Sequence, residues 1–183
     1  MIVFINGSFG IGKTSTARAL RALMPGSVIY DPEFVGFFVR RMPRWMRLEN
    51  RDTGDYQDMP AWRHWAVRGL RLARLRSDLV FVPMAFSNLA YLKEFREGAR
   101  RMDPDVRHFC LVAPLEVVER RIAGRGGTQR DLAWQRGKAK ICCEAHKSAD
   151  FAVRIDAATL TPEQIAHDIT RVLRIPATSP ASA

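Results

Sequence analysis

The chain has 183 residues, 47% hydrophobic and 26% charged, a balance that fits one folded α/β domain and excludes a disordered chain. No apolar run reaches the roughly 18 residues a membrane span needs, and the apolar N-terminus lacks the basic flank of an export signal, so the expected address is the cytoplasm. The 29 Lys and Arg outweigh 19 acids, giving +10, with ten arginines against four acids between Gly36 and Arg76. Such a surface attracts phosphorylated ligands, anionic lipid or nucleic acid, or has no partner at all. No RNA-reading aromatic motif or zinc finger accompanies it, so nucleic acid is not the expected partner. Cys110, Cys142 and Cys143 lack metal-ligand spacing and read as buried thiols.

Taken in chain order, Ile2–Asn6 is an apolar run with the character of a buried parallel strand. A glycine-rich loop follows, and then a helix from Lys13 to Met24 that stops at Pro25-Gly26. Val28–Tyr30 is a short strand delivering Asp31 at its end. Glu33–Met42 is a helix with an unusually apolar character. The polar, turn-rich residues that follow make 36–60 a candidate mobile segment on the substrate side. Asp58 and Pro60 open a helix to about Ser77. Leu79–Val82 is a buried strand ended by Pro83, Tyr91–Met102 a helix, and Val106–Val112 a strand. Pro114 starts a helix carrying Glu119, Arg120, Arg121 and Arg125, which glycines 124, 126 and 127 break near its end. Asp131–Ala145 is helical, Phe151–Ile155 is a strand ending in Asp156, and Pro162 opens a last helix to about Leu173. Strands alternating with helices predict a doubly wound, five-stranded parallel sheet within residues 1–175, with ligands at the strand carboxyl ends and a flexible tail over 176–183.

Gly7-Ser8-Phe9-Gly10-Ile11-Gly12-Lys13-Thr14 fits G-x-x-x-x-G-K-[ST] between a predicted strand and a predicted helix. Glycines let consecutive N–H groups turn inward around phosphate oxygens, and the helix adds the positive end of its dipole. The expected nucleotide site is Gly7 to Ser15. Lys13 would neutralise the β- and γ-phosphates, and Thr14 would place its hydroxyl on Mg²⁺. The guanine-reading motif of the familiar GTPases is missing, so the expected nucleotide is ATP.

Two features choose among P-loop proteins. The strand Leu79–Val82 runs into Pro83-Met84 with no acid to organise metal and water, as a motor ATPase would carry; the nearest carboxylates are Asp31 and Glu33. Arg121 and Arg125, spaced i,i+4 and followed by Gly126-Gly127 and Arg130, form the base of a lid over residues 120–140 or a plain solvated face. A lid would exclude water and bring guanidinium charge to the transferring phosphoryl group.

Ile5-Asn6-Gly7 through Gly12-Lys13-Thr14, Tyr30-Asp31-Pro32-Glu33 with Gly36-Phe37, Tyr56-Gln57 with Pro60 and Trp62-Arg63, Val82-Pro83-Met84 and His108-Phe109 together resemble the tunicamycin-resistance ATPase family. That family is similar in fold to nucleoside monophosphate, shikimate and gluconate kinases and to chloramphenicol phosphotransferase. The resemblance implies ATP binding and a role in resistance to tunicamycin, a nucleoside antibiotic with a fatty acyl chain, by phosphorylating the drug or by holding it. Asp31 is then the candidate to orient or deprotonate an acceptor hydroxyl, with Lys13, Arg121 and Arg125 as catalytic partners. Glu33, Phe37, Arg40, Trp62, Arg63 and Met84 are candidate substrate contacts. The mixture of Phe34, Phe37, Phe38 and Trp45 with Arg40, Arg41, Arg44 and Arg47 suits core, a pocket for an amphipathic ligand, or a surface resting on the inner face of a membrane. The sequence leaves the oligomeric state open.

Overall fold

The computed structural model describes residues 1–43, 45, 55–151 and 153–174, with Phe37, Arg40 and Ala149 described in backbone only. Much of the predicted mobile segment and the whole of the predicted tail therefore lie outside the described residues. Strand β1 (Ile2–Gly7) is apolar on both faces because it is central: it pairs in parallel with β3 (Val80–Met84) on one side and β4 (Val106–Val112) on the other. Strand β2 (Val28–Ile29) extends the sheet beyond β3, and β5 (Val153–Asp156) extends it beyond β4, in the order β2-β3-β1-β4-β5. The chain winds one way from β1 and then returns to the other side, so the crevice at a doubly wound sheet's switch point opens at the carboxyl end of β1.

Seven helices are described: α1 (Lys13–Leu23), α2 (Glu33–Arg40), α3 (Pro60–Arg76), α4 (Leu89–Arg100), α5 (Leu115–Ala123), α6 (Gln129–Ala145) and α7 (Pro162–Leu173). They bury the sheet from both sides. Ile2, Phe4, Val80 and Val82 face a layer with Trp62, Leu70, Leu92 and Phe95 of α3 and α4. Val3, Ile5, Phe81 and Leu111 face the opposite layer with Ala17, Leu20, Val118 and Ile169. Alternation of β1 side chains between the two layers is the period-two geometry of a strand. Among the described residues no helix is long and apolar enough to cross a membrane.

Two sequence expectations are corrected here. Pro83 lies within β3, opposite Ile5, rather than ending the strand. Leu79 and Phe81 bond to β2 through Val28 and Tyr30, whereas Val80 bonds to Met1 beside β1, so Pro83 points its nitrogen toward the side where β2 has already finished. The missing N–H therefore costs no ladder bond. Helix α5 stops at Ala123, with Gly124 as its cap, so Arg125 stands in the connection to α6 and not one turn above Arg121 on a shared helix face.

Candidate nucleotide and acceptor site

The loop from Gly7 to Gly12 leaves the central strand and enters α1. Gly10 and Gly12 take φ of 79° and 107°, a region that favours glycine. Among the described residues the amides of Phe9, Gly10, Gly12, Lys13, Thr14 and Ser15 find no acceptor, and Ile11 reaches only the Ser8 carbonyl at 3.4 Å. The first amides of any helix lack intrahelical partners, but here a glycine turn adds those of the preceding loop to them, an arrangement that suits a bound anion. Lys13 Nζ donates to the Ser8 carbonyl at 2.8 Å and lies 5.4 Å from the centre of the Phe9 ring. Burial lowers the Lys13 pKa, and the Glu33 carboxylate pulls it back up. Thr14 and Ser15 are exposed at the start of α1.

Asp31, after β2, and Glu33, at the start of α2, lie within electrostatic reach of this lysine. Asp31 Oδ1 accepts the Glu33 amide at 2.9 Å and so caps α2; among the described residues Oδ2 has no partner. Burial raises the Asp31 pKa, while the Glu33 amide and the Lys13 charge pull it down. Burial also raises Glu33, against the Lys13 charge and a hydrogen bond from the Tyr56 hydroxyl. Tyr56 can reach it because Gly36 gives way: a Cβ there would sit 2.9 Å from the tyrosine ring. Gln57 fastens the same turn by donating from Nε2 to the Ala85 carbonyl at 2.9 Å. The far end of the segment predicted to be mobile is thus anchored beside the acids.

The remaining candidates divide. Arg121 donates weakly to the carbonyls of Ile11 (3.3 Å) and Ala158 (3.4 Å), joining the phosphate loop to the loop after β5. Arg125 is exposed, with its charge close enough to Lys13 to lower the lysine pKa. Trp62 is fully buried and donates from Nε1 to the Pro32 carbonyl at 3.1 Å, and Met84 is buried in β3. Both are core supports beneath the acids, and no ligand can stack on either. Arg63 is engaged with Glu94 (2.7 Å), the Gln57 carbonyl (2.8 Å) and the Tyr91 ring (4.4 Å), which makes it a brace of the 56–58 turn. In α2, Val39 is core while Phe34 and Phe38 stand 73% and 63% exposed; the side chains of Phe37 and Arg40 lie outside the described residues.

Sequence reading put residues 129–140 of α6 in a lid but found none of the contacts that tie this helix to the site. Trp134 meets the Phe9 ring edge to face at 5.2 Å, and Lys138 pairs with Asp55 at 2.7 Å. Cys143 hydrogen-bonds Ser8, and buried Cys142, whose thiol is pushed up to about 11 by burial, lies near Lys13. His146, at the C-terminal cap, lies 2.7 Å from the Phe86 carbonyl beside Asn6, whose side chain accepts the Phe86 amide and donates to its carbonyl. One helix therefore spans the phosphate loop and the acceptor side. Only the spacing Trp134, Lys138, Cys142, His146, at every fourth residue, could have signalled a shared face.

A shikimate kinase from Acinetobacter baumannii, solved with shikimate, superposes with a TM-score of 0.60 at 16% identity, covering 94% of this chain and 92% of that one. A gluconokinase from Sinorhizobium meliloti superposes with a TM-score of 0.63 at 18% identity, covering 95% and 92%. The fold is that of a P-loop kinase. Within that fold the chain is similar to the tunicamycin resistance protein of Deinococcus radiodurans, with a TM-score of 0.76 and 27% identity over 98% of this chain and 99% of that one. By sequence alone the chain matches no protein-family model and no curated protein. The P-loop kinase frame puts Lys13, Asp31 and Glu33 where such a fold gathers its ligands, at the carboxyl ends of the strands.

Proposed function

We propose that the protein is an ATP-dependent phosphotransferase acting on a hydroxyl of a small acceptor. The observation that carries this reading is that Asp31 and Glu33 lie within electrostatic reach of Lys13 in front of a loop of unsatisfied amides. MgATP supplies the phosphoryl group. The loop amides and Lys13 would hold its phosphates, and the Thr14 hydroxyl would take a place on Mg²⁺. Mg²⁺ held there would neutralise charge on the phosphate oxygens during transfer.

Asp31 is the acceptor-side base. Its Oδ1 is committed to α2, which fixes the carboxylate and leaves Oδ2 for an acceptor hydroxyl. A carboxylate whose pKa is raised by burial is a stronger base than a solvated one. Glu33, held by Tyr56, positions the acceptor, and Arg121 and Arg125 add positive charge as the lid closes. The likeness to the D. radiodurans protein supports a tunicamycin-like nucleoside antibiotic as acceptor, and exposed Phe34 and Phe38 support an acceptor with an apolar part. This reading goes with a cytoplasmic address, where ATP is abundant.

The absence of an acid directly after β3, where Ala85 and Phe86 follow Met84, supports a second reading in which ATP gates binding and the ligand is sequestered unmodified. Incubation with ATP and tunicamycin, followed by mass spectrometry, separates the two. A product heavier by one phosphoryl group, lost in Asp31→Asn, is expected; tight binding with unchanged ligand mass, surviving Asp31→Asn, sinks the transfer reading. Lys13→Ala should fold and lose the ATP-dependent thermal shift.

A further inference from the structure

The chain's charge excess has a location that the phosphate loop does not explain. Helix α3 carries five arginines and no acid in 17 residues. Arg68, Arg71 and Arg74 line one wall of a groove of about 540 Å³ between α3 and α4, and Arg101, just beyond α4, lines the other. Val67, Leu75 and Met102 supply its apolar part. The two helices approach closely because Gly98 is bare: a Cβ there would sit 2.9 Å from the Val67 methyl groups.

Arg74 is neutralised by Asp103 and Asp78, each at 2.7 Å. Among the described residues Arg68, Arg71 and Arg101 have no acidic partner, and Arg68 lies 5.2 Å from the Trp65 ring. Beside them Leu72 and Leu75 stand 62% and 77% exposed. Guanidinium groups gathered around one groove repel one another, and a multivalent anion reverses that cost; their planar forks match phosphate oxygens in pairs. Arginine interleaved with Trp and Leu also fits a ligand that joins phosphate to apolar matter. The groove is not an outlying part of the nucleotide site. Helix α3 leads into the start of β3, where Val80 pairs with Ile2, whereas the phosphate loop leaves the other end of β1, ~17 Å away at about 3.3 Å per residue.

We propose that this groove is a second phosphate-binding site, which takes the phosphate groups of a polyanionic or amphipathic ligand. An anionic phospholipid headgroup and a free polyphosphorylated compound share that chemistry. The test keeps saturating ATP present so that the phosphate loop is occupied. One arm measures co-sedimentation with phosphatidylcholine vesicles with and without phosphatidylglycerol; the other measures calorimetric binding of inositol hexakisphosphate. Binding in either arm is expected, and which arm responds names the source. Arg71→Gln with Arg101→Gln should weaken it roughly 30-fold, a factor of about 5 per charge, with ATP affinity and unfolding temperature unchanged. Lys140→Gln with Lys147→Gln, which removes two exposed cations elsewhere, should leave it intact. Failure of both arms overturns the proposal. So does equal binding by the arginine variant, equal loss in the lysine variant, or binding of single-stranded RNA while both phosphate probes fail.

Discussion

Gly10 and Gly12 separate what the phosphate loop needs to fold from what it needs to bind. Both hold φ in the left-handed region, so alanine at either carries a backbone cost of ~1–2 kcal/mol. Their surroundings differ. A Cβ on Gly10 would lie 2.7 Å from Ile122 Cγ1 and 3.3 Å from the Val118 carbonyl, in the packing of α5 against the loop, while a Cβ on Gly12 would meet nothing within 4 Å. Overpacking adds ~1–3 kcal/mol at Gly10 alone. Gly10→Ala should therefore cost ~2–5 kcal/mol and Gly12→Ala ~1–2 kcal/mol. At about 2–4 °C per kcal/mol for a chain of this size, the drops are roughly 4–20 °C and 2–8 °C. The assay is thermal unfolding by circular dichroism without ligand, followed by calorimetric titration with ATP at a temperature where both variants are folded. Gly12→Ala should lose ATP affinity, because its new methyl group enters space that no protein atom fills. A Gly10→Ala protein as stable as Gly12→Ala would refute the packing argument, and wild-type ATP affinity in Gly12→Ala would refute the assignment of that space to phosphate.

Two further outcomes follow from the acids and from α6. Burial raises Asp31 above its ordinary 3.8 and Glu33 above 4.5. In the window opening at those values the folded state holds protons that the unfolded chain has released, so ligand-free stability falls as pH rises, and the penalty is complete above the raised values. Asp31→Asn keeps the α2 cap through its amide oxygen, so it should unfold at a higher temperature than wild type at pH 7 and show a shallower fall through that window, while yielding no phosphorylated product. An unchanged pH profile in thermal unfolding would contradict the assignment. Trp134→Ala removes a ring contact on Phe9 worth about 0.5–1.5 kcal/mol. Phosphates that draw Lys13 away from Ser8 and Phe9 should perturb that contact, so wild-type tryptophan fluorescence should change on ATP addition and the change should vanish in Trp134→Phe. A change of the same size in that variant would place the reporter elsewhere.

The parts of the fold legible in the sequence are those governed by local rules. The apolar β1, the glycine loop and the start of α1 form one contiguous signal, and the observed strand and helix bounds there match the reading within a residue. The acid-free end of β3 was legible for the same reason. What escaped depends on partners distant in the chain. Trp62 and Met84 look like any large side chains near a predicted cleft, and only packing with residues distant in the chain makes them core, Phe95 stacking on the indole and Phe86 lying tilted beside it. Helix α6 is mostly polar, so nothing in its composition announces that Lys138 crosses to Asp55, 83 residues earlier, or that His146 reaches Asn6 across 140 residues. The i,i+4 reading of Arg121 and Arg125 failed where two rules competed, because helical spacing continued on paper past a glycine that ended the helix.

The acid pair shows how neighbouring residues of one type acquire different work. Asp31 and Glu33 are two positions apart; burial raises both, the Lys13 charge pulls both down, and the Asp31 charge further raises Glu33. Asp31 precedes α2 and can cap it, so one oxygen is spent on the backbone and the other stays open. Glu33 is inside the first turn and has no backbone amide to take; it is met instead by the Tyr56 hydroxyl, which arrives only because residue 36 is glycine and because Gln57 ties the following turn to Ala85. Tyr56 is itself shifted upward by burial and by the Glu33 charge, so it remains a proton donor to that carboxylate across the working pH range. The distinction between a carboxylate with a free oxygen and an anchored one is thus set by the backbone position of each acid and by one glycine, and not by the carboxylates themselves.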